Sequence, residues 1–258
     1  MDQIKIIRNQ NNIEKSRFIR IRQKFCQNAN CLRLTKVPKY LFILILGLIF
    51  SNNKNKFTYS IFEKYQKSEI DWPLPKEIVF KPLMSDKELK AFLYFMKKEN
   101  IYFEFGSGGS TNIASFYKLK TYSVDSDVDW HQKLKDKNIT AQYFTVDLKS
   151  KTYGFPGNDT TLEDWKKYIE AYKDEFNADI ILIDGRFRVA CSLDIFSKIR
   201  NDTIVLIHDY KNRKEYHIIE KFYKKIESWD TLYAFIKRGN ISKIPDDIYN
   251  RYLNVQFI

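Results

Sequence analysis

"IYFEFGSGGST", residues 101–111, joins an aromatic and branched run to a knot of glycines. The chain has eight glycines in 258 residues, and three of them, Gly106, Gly108 and Gly109, stand within four consecutive positions. A run such as Ile101–Phe105 reads as a strand, because aromatic and branched side chains suit a pleated, packed surface. Glycines placed directly after it strip a turn of side chains. Backbone or ligand can then approach closely, and the N–H groups that open a following helix favour electron-rich atoms. Such a turn is weak evidence on its own, so its neighbours decide its meaning.

Upstream, "SDKELKAFLYFMKKEN" opens with a Ser-x-x-Glu capping box, Ser85 and Glu88, and sets Leu89, Phe92, Leu93 and Met96 on one helical face. Downstream the pattern alternates. Residues 111–119 read as a helix, Thr121–Asp127 as a second strand, "VDWHQKLKDK" as a short helix and Ile139–Leu148 as a third strand. Thr160 and Glu163 read as the cap of a further helix, with Trp165, Ile169, Tyr172 and Phe176 at helical spacing. "ADIILIDG" (178–185) and "TIVLIHDY" (203–210) are continuous apolar runs of the kind buried on both faces of a sheet, with a helix over 188–199 between them. A helix over 214–226 and a weaker strand, Thr231–Lys237, follow, and the last twenty residues carry no clear signal. Strands alternating with helices predict an α/β fold, a doubly wound and mostly parallel Rossmann-like sheet.

The polar residues fall at the strand ends. Asp125 closes the second strand 19 residues beyond Gly106, about where a carboxylate can accept both hydroxyls of a ribose. Asp147 closes the third, Asp184-Gly185 the fourth and His208-Asp209 the fifth. Any one of these aspartates also reads as a turn former or a helix cap. As a set they are poorly explained by chance, since carboxylates beside a core are costly. In doubly wound sheets this edge is where ligands bind. A G-x-G-x-x-G fingerprint would need glycine where Thr111 stands, and no Gly-Lys-Ser/Thr ending marks a P-loop. Glu104, two residues before Gly106, gives instead E-x-G-x-G. A carboxylate aimed into the pocket would repel a pyrophosphate and suit a ligand bearing a cationic amine and a sulfonium.

Glu104-Phe105-Gly106-Ser107-Gly108, followed by Asp125, resembles the class I S-adenosylmethionine-dependent methyltransferases, and the likeness in motif position and strand order spans residues 85–237. The resemblance, nearest to small-molecule and sugar O-methyltransferases, implies that Glu104 and the 106–109 loop, with Ser107, lie against the methionine part of the cofactor. It implies that Asp125 binds the ribose and that Asp147 lies near the adenine. "DGRFRVAC" (184–191) is similar to segments of methyltransferase-like proteins of unassigned substrate.

The turns after the fourth and fifth strands would then face the methyl acceptor, a small molecule or saccharide. His208 could act as a general base, or Asp184 and Asp209 could hold a divalent cation that lowers the acceptor's pKa, or neither. The second device resembles the catechol-type O-methyltransferases, from which this chain departs by carrying Tyr210 where those have Asn. Arg186, Arg188 and Arg213 could receive an acidic acceptor such as a uronic acid or phosphorylated sugar, or could pair with the local aspartates. Phe155, in the long turn 149–160, reads either as part of a substrate lid or as surface loop. Two other classes stay open: a binding protein that keeps the fold without turnover, and a nucleotide-sugar glycosyltransferase whose D-x-D would be Asp125-Ser126-Asp127.

The basic balance sits mostly outside this domain. Residues 1–39 carry ten Lys/Arg and two Asp/Glu, and the rest of the chain has a net charge of only +4. Nucleic acid is therefore not an expected partner. Residues 40–51, with "YLFILILGLIF" uncharged, read as a short signal-anchor, a membrane-surface helix or a buried helix. The first would give a single-pass, membrane-associated protein with its basic leader in the cytoplasm. Without a span the protein would be cytoplasmic. Residues 52–84 read as a stem and 85–258 as the catalytic domain. Cys26, Cys31 and Cys191 make no disulfide framework or zinc set.

Overall fold

The computed structural model describes residues 74–97, 99–149 and 155–255. The basic leader, the apolar segment 40–51 and most of the stem lie outside them, as do Cys26 and Cys31. Among the described residues, no helix is long and apolar enough to cross a membrane.

Helix α1 (Asp86–Met96) precedes β1 (Ile101–Phe105), and α2 (Gly109–Phe116) leads to β2 (Lys120–Asp125). Helix α3 (Val128–Asp136), β3 (Gln142–Thr145), α4 (Leu162–Ile169) and β4 (Ile180–Ile183) follow. Then come α5 (Arg188–Asp194), β5 (Ile204–Ile207), β6 (Tyr223–Trp229), β7 (Leu232–Lys237) and α6 (Asp246–Leu253). The seven strands form one sheet in the order β3-β2-β1-β4-β5-β7-β6. β1 to β5 pair in parallel, whereas β7 runs antiparallel to β5 and β6 antiparallel to β7. The chain winds outward from β1 to β3, then restarts beside β1 at β4. The switch point therefore falls between the carboxyl ends of β1 and β4.

Because strand side chains alternate, each central strand feeds two cores. Phe103, Phe105, Ile181, Ile183, Val205 and Ile207 pack with residues of α4, α5 and α6 on one face. Tyr102, Ile180, Leu182, Ile204 and Leu206 pack with α1 and α2 on the other. Glu104 shares a face with Tyr102, so its carboxylate is driven into the second core and is fully buried.

The Ser85–Glu88 capping box forms as the sequence predicts, with Glu88 Oε2 accepting from Ser85 N–H at 2.7 Å. Four readings need correction. The cap of α4 is Thr161 with Asp164, one residue beyond the expected pair, because Thr160 instead donates its hydroxyl to the Gly157 carbonyl. The third strand ends at Thr145, short of Asp147. The expected helix over 214–226 is a 3-10 helix, Lys214–Lys221, followed by β6. A bulge between Lys225 and Glu227 breaks the period of two that would have announced that strand. The closing residues form α6, which packs Leu253 into the first core.

At the switch point two backbones touch. A Cβ on Gly106, whose φ is +97°, would lie 2.8 Å from Gly185 N, and one on Gly185 would lie 2.0 Å from the Tyr168 hydroxyl. Gly185→Ala should therefore destabilise the fold by about 1–3 kcal/mol through overpacking. A urea midpoint equal to that of the wild type would contradict this contact.

Candidate active site

The glycine knot has three separate jobs. Gly106 abuts Gly185, as above. Gly109 faces the chain before α1, where an added Cβ would sit 2.1 Å from Pro82 N. Gly108 alone keeps an open side, its nearest neighbour being Trp130 Nε1 at 3.9 Å.

Glu104 organises this loop from beneath. Tyr102 OH (2.8 Å) and Ser110 Oγ (2.5 Å) donate to its Oε2, and Thr111 Oγ1 (2.5 Å) and Ser123 Oγ (2.7 Å) donate to its Oε1. Thr111 Oγ1 also accepts from Gly108 N–H at 2.7 Å, which explains a threonine where a dinucleotide fingerprint has glycine. Burial pushes the Glu104 carboxyl up to about 7, against the pull of the Ser110, Thr111, Ser123 and Tyr102 hydrogen bonds. The expectation that Glu104 points into the ligand pocket is thus corrected. Its four acceptor positions are filled by protein hydroxyls, and it can act on a ligand only through the loop it holds.

Ser107 is similarly committed. Its N–H donates to Asp125 Oδ2 (2.7 Å), its carbonyl accepts from Trp130 Nε1 (2.8 Å), and its hydroxyl lies 2.6 Å from Ser123 Oγ and 2.7 Å from His131 Nε2. His131 Nδ1 lies 2.6 Å from Thr145 Oγ1. With Glu104 ionised and able only to accept, the chain is ordered: Ser123 donates to Glu104, Ser107 to Ser123, His131 Nε2–H to Ser107, and Thr145 to Nδ1. Burial first, then Lys135, lowers the His131 pKa to about 4, consistent with that neutral imidazole. Sequence reasoning missed Trp130 and His131. Their signal was the inward helical spacing of His131 and Leu134 on α3, directly after the second-strand carboxylates.

Asp125 is half-buried at the end of β2. Oδ1 accepts from the N–H groups of Ser126 (2.7 Å) and Asp127 (3.0 Å), and Oδ2 from that of Ser107. A carboxylate has about four lone-pair sites, so one remains, on Oδ2, enough for one ribose hydroxyl rather than both. Burial raises the Asp125 pKa against these backbone hydrogen bonds. Asp127 caps α3 through Trp130 N–H (2.9 Å), so Asp125-Ser126-Asp127 does not offer the free carboxylates of a metal-holding D-x-D. Asp147 is exposed beyond β3 and pairs with Lys149, which draws its carboxyl below the usual range. The open side at Gly108 and the remaining lone pair of Asp125 fit an adenosyl ligand with a ribose.

At the other half of the switch point, β4 and β5 end in two sharp turns. Phe187 and Asp209 adopt left-handed backbone, φ 53° and 55°, uncommon for non-glycine residues. Phe187 is wedged against Trp165 and Tyr168 (ring centroids 5.6 and 6.0 Å away), and the turn sends Arg188 back beneath the strand ends. Arg188 is only 5 % exposed. Its Nε donates to the Gly185 carbonyl (3.0 Å), Nη1 to the His208 carbonyl (2.6 Å) and Asp209 Oδ2 (3.2 Å), and Nη2 to the Asp184 carbonyl (3.0 Å), with Asp184 Oδ1 3.1 Å from Nη2 as an ion pair. The reading of Arg188 as a substrate residue is therefore corrected: its guanidinium is spent inside the protein.

His208 is buried between carboxylates, with Nδ1 3.1 Å from Asp184 Oδ1 and Nε2 3.5 Å from Glu88 Oε2. Burial works to lower its pKa, but the Asp184 hydrogen bond and the charges of Asp184, Asp209 and Glu88 raise it overall. Glu88 itself is held down to about 2; burial opposes this, and hydrogen bonds from Thr231 and Ser85 outweigh it. With both ring nitrogens facing carboxylates, His208 is better placed to orient Asp184 than to take a proton from an acceptor. Arg213 reaches Asp209 Oδ2 (3.4 Å) and the Tyr216 hydroxyl (3.1 Å). Arg186 lies over the Phe155 ring, 4.2 Å from its centroid, and is the one of the three arginines with no carboxylate partner among the described residues.

Asp184, His208 and Asp209 place three donor atoms within 4.8 Å of one another, a span that suits a cation. The donor set does not fit one, however. Arg188 already gives each carboxylate a fixed cationic partner, through Asp184 Oδ1 and Asp209 Oδ2, so a divalent ion there would be a second cation on an acidic pair that is already neutralised.

No family profile and no curated protein matches the sequence. Among solved structures, a methyltransferase-like protein from Silicibacter pomeroyi is similar at 24% identity, with 68% of this chain and 98% of that one covered and a TM-score of 0.61. An S-adenosylhomocysteine-bound methyltransferase from Podospora anserina is similar at 9% identity over 81% of this chain and 99% of that one, with a TM-score of 0.41. The mycinamycin-pathway methyltransferase MycE, solved with Mg and S-adenosylhomocysteine, is similar at 15% identity over 64% and 51%, with a TM-score of 0.38. The last two likenesses are too loose to carry an argument. The first shows the fold: this chain has the Rossmann-like fold of the class I methyltransferases.

The buried Glu104 carboxyl makes stability depend on pH. A folded-state pKa near 7, above the ordinary carboxyl value of about 4.5, favours the folded protein while the group is protonated. That contribution is complete below about pH 4.5 and is lost as pH rises towards 7. Glu104→Gln should abolish it, so the stability difference between wild type and variant should shift by about 1–3 kcal/mol between pH 5 and 7.5. Urea unfolding of both proteins at the two pH values tests this. A constant difference would contradict the assigned burial, and the comparison cancels His131 and His208, which titrate in both.

Proposed function

We propose that the chain is an S-adenosylmethionine-dependent methyltransferase acting on an oxygen of a small, anionic acceptor such as an acidic saccharide. The observation that carries this reading is the pairing of Asp125 with the glycine loop. Asp125 holds Ser107 by its N–H, keeps one lone pair for a ribose hydroxyl, and sits beside the open flank of Gly108 at the switch point. When bound, the cofactor supplies a methyl group on a sulfonium, an electrophile that needs alignment more than covalent help from the protein.

The chain's own residues divide that task. Asp125 and the 106–109 loop orient the adenosyl and methionine parts. Asp209 Oδ1, 3.7 Å from His208 Nδ1 and free of the arginines, is the oxygen best placed to take the proton of an acceptor hydroxyl as it becomes an ether. Asp184 and His208 hold that end in register. Arg186, stacked on Phe155 and lacking an anionic partner among the described residues, is the residue we assign to the acceptor's negative charge.

A glycosyltransferase reading is less supported, because the carboxylates of the D-x-D already accept from backbone N–H groups of the loop and of α3. A binding protein without turnover differs in one respect only, the absence of product.

Calorimetric titration of the full chain with S-adenosylhomocysteine should show binding, and Asp125→Ala should weaken it by about tenfold to a hundredfold, the worth of a charged hydrogen bond. No binding by the wild type would remove the proposal. Over a panel of uronic acids and phosphorylated sugars, S-adenosylhomocysteine release should fall about 10²–10⁴-fold in Asp209→Asn, with affinity for the cofactor product unchanged.

A further inference from the structure

The acidic pair at the acceptor end carries a positive group of its own. Arg188 donates to the carbonyls of Asp184, Gly185 and His208 and to Asp209 Oδ2, and its Nη2 is ion-paired with Asp184 Oδ1. A buried guanidinium persists only when paired, and here the pairing also ties the ends of β4 and β5 together. Swinging the side chain aside would leave three carbonyls without this donor and both carboxylates without their buried cation, so it is held firmly in place.

We propose that Arg188 is a positioning residue that serves as the fixed counter-cation of Asp184 and Asp209, closing the pair to divalent metals, and that its removal opens a metal site. Each carboxylate gives one oxygen to Arg188. Asp184 Oδ1 is shared with His208 Nδ1 and Asp209 Oδ2 with Arg213, while Asp209 Oδ1 is left towards the acceptor. The guanidinium thus supplies charge neutralisation and orientation, the two services a divalent ion would bring, without a vacant coordination position. Without Arg188, the donors of Asp184, His208 and Asp209 would keep their spacing and lose the cation that repels a second one. The role in methyl transfer rests on the function proposed above. The metal measurement needs neither cofactor nor acceptor.

The probe is Mn²⁺ alone, followed by electron paramagnetic resonance on the full chain. The wild type should bind it no more tightly than about 1 mM, the level of weak carboxylate sites. Arg188→Ala should bind one equivalent at least about tenfold more tightly, a gain that Asp209→Asn abolishes in the double variant. Arg188→Lys, which restores a positive charge, should reverse the gain. If the alanine variant fails to fold, Arg188→Met, which keeps much of the buried length, carries the same measurement. One tight equivalent of Mn²⁺ on the wild type, lost in Asp209→Asn, would overturn the proposal. So would a folded Arg188 variant that binds Mn²⁺ no better than wild type. Failure to bind S-adenosylhomocysteine would sink the methyltransferase reading and leave this one standing.

Discussion

Glu104 is a carboxylate with no exposed surface, held by four hydroxyls at the root of the ligand-facing loop. Burying an ionisable group without partners would cost several kcal/mol, so the surrounding chain is obliged to supply them. That obligation shapes the loop. Thr111 and Ser110 turn the first turn of α2 towards Glu104, Thr111 in turn holds Gly108 N–H, and Ser123 ties β2 to β1 by a side-chain bond as well as the ladder. From Ser123 the network continues through Ser107 to His131 and Thr145 on α3 and β3. Three adjacent strands and two helices are locked by one charge.

The two halves of the switch point handle charge in opposite ways. On the β1–β2 side Glu104 is met by hydroxyls and Asp125 by backbone N–H groups, with no arginine or lysine partner among the described residues. On the β4–β5 side the carboxylates of Asp184, Asp209 and Glu88 stand among Arg188, Arg213 and His208. The first arrangement commits its buried carboxyl to fixing the shape of the loop. The second holds an acidic pair in place while its charge is balanced from within. Under the function proposed above, the methyl donor would meet the first environment and the acceptor the second.

Much of this was legible beforehand. The alternation of strands and amphipathic helices pointed to a mostly parallel sheet, most plainly at β4 and β5, because strands buried on both faces announce themselves as unbroken Val, Ile and Leu runs. The bulged β6 escaped, since Lys224 and Lys225 stand together on an edge where burial no longer enforces alternation. Of the site, Gly106, Gly108, Asp125, Asp184, His208 and Asp209 all gather at the expected edge. Glu104 and Arg188 lie there too, yet turned inward.

The order of residues was enough to decide that a carboxylate or glycine closes each of the central strands, since strand period and turn chemistry are local properties. It could not decide which charged groups would face a ligand and which would face each other. Orientation of that kind follows from contacts across 20 or more positions, such as Arg188 with His208 or Gly109 with Lys81 and Pro82. Only the packed sheet brings those pairs together, because burial, rather than sequence neighbourhood, determines which partner a charge must find.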